Sequence, residues 1–176
     1  MGKESSNILT IREFVQGLAA ASASGIYGPS RAAAAIIGHA DLKLGAKVAP
    51  VLEALQAASP NRFRGIRHNV TWSPDPAVDN RESEGILANS AFREGAQVLC
   101  HEGFSLDVMI SFPQMPEVAD FARAVPELPI ILNHIGALNR VGLYANREDE
   151  VRAIWQAGIA AVAAWVSITG SASSLP

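Results

Sequence analysis

The residue pattern predicts an α/β fold built on a parallel sheet, and three observations carry that expectation. Short apolar runs of aliphatic and β-branched residues alternate with amphipathic helical stripes along most of the chain. Successive runs are separated by about one helix length, the spacing that βαβ crossovers need. The runs end in polar residues: Asp41 with His39, Arg67 with His68, Asp107 within its strand, and Asn133 with His134. A parallel strand covered on both faces has no place for such groups in its interior, so they belong at the carboxyl ends, where α/β folds bind ligands.

Composition narrows the class. The chain has 176 residues, 49% of them hydrophobic, and a net charge of -3. These values fit a globular domain large enough to bury a core, read here as a single domain over 1–176, and they exclude a basic nucleic-acid binder. The one cysteine, Cys100, rules out an internal disulfide framework and a cysteine zinc cluster, and reads as packing more than as a nucleophile. The amino terminus lacks the apolar segment of a signal peptide. The most apolar stretch, Ala153–Val166, is broken by Gln156 and is shorter than a membrane span. These features predict a cytoplasmic protein with a small-molecule substrate and without nucleic-acid or membrane partners.

In chain order, Thr10 with Glu13 forms a capping-box spacing before a helix with Ile11, Phe14, Val15 and Leu18 on one face. The loop ASASGIYGPS follows, and then AAAAIIGHADL, whose alanines suit a helix while its IIGHADL end suits a strand. Val48, Val51, Leu52 and Leu55 mark a helix ending at Ser59-Pro60, before a strand over Phe63–His68. Ser90 is placed to cap a helix with Phe92, Ala96 and Leu99 inward, ended by Gly103 before a strand over Ser105–Phe112. Pro116 opens a helix with Val118, Phe121, Ala122 and Val125 on its face, followed by PIILNHIG over Pro129–Gly136. Asn146 is expected to cap the last helix, whose acidic Glu148, Asp149 and Glu150 favour the positive end of its dipole. Residues 166–176 read as an irregular tail.

The polar strand ends supply candidate chemistry. An arginine holds a carboxylate or a lactone carbonyl, and a histidine serves as a general base or a metal ligand. Each has a competing structural reading: Arg67 as an ion-pair partner of Asp41 or Asp107, His134 as a core histidine tying loops together, and His39, His68 and His101 as surface or loop residues. His101 ends a helix, where a cation is favoured by the dipole, and stays outside the candidate site.

IIGHADL, FRGIRHNVTW, SLDVMISF with PQMPEVADFA, and above all PIILNHIG together resemble the amidohydrolase superfamily. The branch they are most similar to comprises metal-dependent (β/α)8-barrel hydrolases that include sugar-lactone hydrolases. The resemblance runs from about Phe14 to about Ala164 and implies a partial TIM (β/α)8 barrel that hydrolyses a lactone or a related ester or amide. It implies His134 as the catalytic histidine and Arg67 as a substrate clamp, with Asn133, Asp107 and His68 as further substrate-binding residues. It also implies a divalent metal, zinc first, with ligands that the resemblance leaves unassigned.

The chain departs from that pattern at both ends. No two of its four histidines form the His-x-His of a first barrel strand, and nothing beyond Gly170 forms a last strand with its aspartate. A full barrel typically needs ~250 residues. The expectation is a barrel lacking its first and last units, with open sheet edges that invite pairing in a homo-oligomer and impaired hydrolysis. The alternative is a non-catalytic remnant or binding module keeping half of the barrel rim. A doubly wound nucleotide-binding domain is disfavoured because no Gly-rich phosphate loop follows a predicted strand.

Overall fold

A computed structural model describes residues 15–78 and 80–169. Four strands form one parallel sheet in the order β1-β2-β3-β4. They are β1 (Ile36–Gly38), β2 (Phe63–Asn69), β3 (Ser105–Met109) and β4 (Ile130–Leu132). Each strand lies beside its predecessor in sequence, the order of a barrel wall; a doubly wound sheet reverses direction at a switch point.

Helices alternate with the strands: α1 over residues 15–23, α2 (Ala49–Ala58), α3 (Ser90–His101), α4 (Met115–Ala124) and α5 (Glu148–Thr169). Ile66, Leu106 and Val108 of the sheet, Leu52 of α2, Phe92 and Leu99 of α3, and Phe121 of α4 are buried in one cluster. The apolar periodicity of α2 to α4 thus became the core. At α5 a close fit is needed, because a Cβ on Gly158 would stand 2.7 Å from Met115 of α4.

Several local expectations are corrected. Leu18 is 51% exposed, and α1 instead buries Ala19. Gln16 fastens this helix by donating to the Ala58 carbonyl. The proposed cap at Thr10, with Ile11 and Phe14, lies outside the described residues. The alanines at 32–35 form a bend, neither helix nor strand. The α3 cap is Asn89, one residue before Ser90, with its side chain accepting from the Phe92 amide at 3.0 Å. β3 ends at Met109, and Phe112 begins a short 3-10 turn. Asn146 lies two residues before α5 with φ 59°. Residues 166–169, expected in an irregular tail, continue α5 to Thr169; 170–176 lie outside the described residues. No helix among the described residues is long and apolar enough to cross a membrane.

Candidate functional site at the strand ends

Side chains alternate across a strand, so adjacent Arg67 and His68 of β2 project to opposite faces. Arg67 is register partner to Asp107 of β3, which places the two side chains on the same face. Its guanidinium donates to Asp107 Oδ2 at 3.0 Å and to Asn133 Oδ1, just past β4, at 3.2 Å. Three neighbouring strands therefore converge on one cation.

Polar capacity is left over in this cluster. Among the described residues, Asp107 Oδ1 and Asn133 Nδ2 are buried without a hydrogen-bond partner. An orphaned acceptor and an orphaned donor each cost about 1–3 kcal/mol when desolvated, which makes them places for a ligand's polar groups. The Asp107 side chain is 6% exposed while that of Arg67 is 52% exposed, so the cluster has a buried floor and an open cation.

On the opposite face His68 is buried, with its ring 5.2 Å from that of Phe92. The Leu42 amide, which can only donate, faces Nδ1 at 3.4 Å, so the neutral ring carries its proton on Nε2, 3.2 Å from Glu82 Oε1. Lys43 Nζ reaches the same carboxylate oxygen at 2.6 Å. Burial pushes the His68 imidazole below its usual range, opposed by the Glu82 carboxylate. Burial also works to raise the Glu82 carboxyl, but hydrogen bonds from Lys43 and His68 outweigh it and hold it below the ordinary glutamate value. The hydrogen bond to Glu82 raises Lys43 in turn. These three residues fasten the loop after β2. His68, expected as a substrate-binding residue, has both nitrogens occupied and acts as a support. Asp41, weighed as an ion-pair partner of Arg67, instead caps the turn that follows it by accepting from the Lys43 amide at 2.9 Å.

A cleft of about 980 Å³ runs along β1 and β2, with His39, Asp41, Arg67, His68, Asn69 and Glu82 among its lining. His134 does not line it. That residue follows Asn133 in an exposed turn with φ 51°, and Ile135 repeats the same left-handed φ. Trp155 of α5 braces the turn by donating to the Ile135 carbonyl at 2.8 Å. The structure thus unites Arg67, Asp107 and Asn133, places His134 beside them but in solvent, and sends His68 to the other face. Sequence reasoning missed Glu82 because it lies in an irregular loop without periodicity. Among the described residues no group of three or more His, Cys, Asp or Glu side chains is placed to hold a metal ion.

The comparisons with known proteins agree with this architecture. A family model described as Amidohydrolase matches residues 29–174. Over 102 residues the chain is 33% identical to a Sinorhizobium fredii protein named uncharacterized protein y4mH, covering 57% of this chain and 33% of that protein. An amidohydrolase from Burkholderia multivorans, crystallised with bound HEPES, superposes with a TM-score of 0.55 at 26% identity, covering 75% of this chain and 42% of that one. A structure of an amidohydrolase from the same organism with bound zinc gives a TM-score of 0.56 at 22% identity, again over 75% of this chain and 41% of that one. The chain thus spans between a third and about two fifths of the length of these relatives. With strand order, parallel register and a family match over most of its length, the chain belongs to the amidohydrolase family and carries part of its TIM-barrel fold.

Proposed function

We propose that this chain forms the substrate-binding wall of a hydrolase acting on a lactone or a related ester or amide. The observation that carries the reading is the pair of unpartnered buried atoms, Asp107 Oδ1 and Asn133 Nδ2, flanking the Arg67 guanidinium at the carboxyl ends of a parallel sheet. Arg67 polarises the substrate carbonyl, Asp107 accepts from a substrate hydroxyl, and Asn133 donates to a ring or hydroxyl oxygen. His134 stands next to Asn133, where the family resemblance puts an active-site histidine.

The zinc reported for the Burkholderia amidohydrolase does not find a matching donor set among the described residues of this chain.

The test is turnover of a panel of γ- and δ-aldonolactones by the wild type, Arg67→Ala and His134→Ala. The reading expects hydrolysis that Arg67→Ala lowers by about 10²-fold, the scale of a lost charge-stabilising donor. A wild type that hydrolyses none of the panel contradicts it. A second reading is a binding module that keeps the Arg67, Asp107 and Asn133 cluster without turnover. Lactone binding by the wild type with no hydrolysis would select that reading.

A further inference from the structure

We propose that His39 is the proton-transfer residue of this cleft, a catalytic residue whose Nε2 takes a proton from the attacking water and returns it to the leaving oxygen. The inference rests on the hydrolase reading above, and its test separates the two.

Hydrogen-bond direction carries the argument. His39 lies one residue past β1, is exposed, and lines the cleft. Its Nδ1 stands 2.9 Å from the main-chain carbonyl oxygen of Arg67. A carbonyl oxygen has lone pairs and no proton, so Nδ1 must donate. In the neutral ring Nε2 is then bare, and among the described residues it has no hydrogen-bond partner. This is the state a general base requires.

His68, 5.7 Å away centroid to centroid, shows the opposite arrangement. Its Nδ1 accepts from Leu42 and its Nε2–H faces Glu82, so it is closed to substrate. Of the remaining two histidines, His134 has no orienting bond among the described residues. His101 ends α3, beside a separate hollow shared with Cys100 and Glu127. Among the described residues of the cleft, His39 is the one histidine both oriented and open.

Arg67 links base and clamp. Its main-chain carbonyl aims His39, and its side chain reaches Asp107 and Asn133. A lactone carbonyl held at this guanidinium is attacked by water. As the new carbon–oxygen bond forms, the water proton passes to His39 Nε2. Collapse of the tetrahedral intermediate breaks the ring carbon–oxygen bond, and the ring oxygen leaves with the proton carried by Nε2. The products are one hydroxy acid and a neutral His39, so one water is consumed and no oxidant or reductant is needed.

The test combines kinetics on the full chain with histidine NMR. Lactone hydrolysis is measured for the wild type, His39→Ala, His39→Gln and His134→Ala, with and without added imidazole. The expected result is a fall in kcat of about 10²–10⁴-fold in both His39 variants, the usual weight of a positioned acid–base group. KM should stay within about threefold, as for a group that acts in the transition state and not in ground-state binding, and imidazole should restore part of the His39→Ala turnover. Retention of kcat in either His39 variant overturns the inference, and so does a loss that imidazole cannot restore. If the wild type hydrolyses no lactone, the hydrolase reading fails and the catalytic role of His39 fails with it. If it hydrolyses while a His39 variant keeps its kcat, only the His39 inference fails, and 15N-histidine NMR of the wild type checks the ring independently. An Nδ1–H tautomer with a bare Nε2 supports His39 as the open base of the cleft, whereas an Nε2–H tautomer overturns it.

Discussion

Arg67 and His68 are neighbours in sequence and opposites in surroundings. Arg67 faces the open side of the sheet, half exposed, over an acid and an amide that retain unpartnered atoms. His68 faces the helices, buried against Phe92, with both ring nitrogens engaged. A single strand thus presents unsatisfied polar capacity on one face and a satisfied polar latch on the other. Buried groups without partners are held at a cost, and such groups collect where a ligand completes them. Groups with complete partners hold the scaffold in place.

If this division is right, the two faces respond differently to mutation. The largest stability effect belongs to the helix-facing side: Phe92→Ala empties a fully buried ring site and should cost about 3–5 kcal/mol in urea unfolding. Next comes the open face. Asp107→Asn removes the charge opposite Arg67 and should lower lactone turnover by about 10²-fold. It should also shift the melting temperature far less than Phe92→Ala does. Equal losses of stability in the two variants would break the comparison.

Acid should act through the latch. Burial holds the His68 value below 6.5, so the unfolded chain takes up that proton first and native stability falls as pH drops below about 6.5. Glu82, held below 4.5 by its hydrogen bonds, adds a further loss as pH falls through its folded value. Melting temperatures should therefore stay level from pH 8 to about pH 6.5 and decline from there to pH 4, and His68→Gln should flatten the upper part of that decline. An unchanged slope in His68→Gln would remove the latch from the account.

A smaller test lies at Gly142, whose φ is 52°. A Cβ there would collide with the Asp75 carboxylate, which accepts from the Leu143 amide at 2.5 Å and the Ala77 amide at 2.9 Å. Gly142→Ala should disturb the tie between the loops after β2 and β4 and cost about 1–3 kcal/mol, with the core untouched. The smallest effect is at the α3 cap, where Asn89→Ala should cost about 1 kcal/mol. Ser90→Ala should cost less, which separates the observed cap from the expected one.

Much of the architecture was legible because periodicity reports burial. Val48 just before α2, Leu52 and Leu55 within it, and Phe92, Ala96 and Leu99 in α3 are buried as their spacing implies. Arg67, Asp107 and Asn133 were found as strand-end polar groups, and the parallel register brought them together. What the sequence concealed was facing and hydrogen-bond direction. His39 and His68 look alike as strand-end histidines, yet a carbonyl meets one ring at Nδ1 and an amide N–H meets the other. The left-handed turn at His134 and Ile135 breaks the usual preference of L-residues, so local propensity gave no warning that His134 would stand in solvent. The extent of α5 was misjudged because a Ser- and Thr-containing end reads as a loop while the helix carries on.

The most direct measurement is a 15N NMR titration of the chain with gluconate, the hydroxy acid that hydrolysis of an aldonolactone yields. The account predicts shifts at the Arg67 guanidinium, the Asn133 side-chain amide and the His39 ring, with the His68 ring and the Phe92 amide left in place. Shifts confined to the helix-facing side, or none at Arg67 and Asn133 at saturating gluconate, would contradict it.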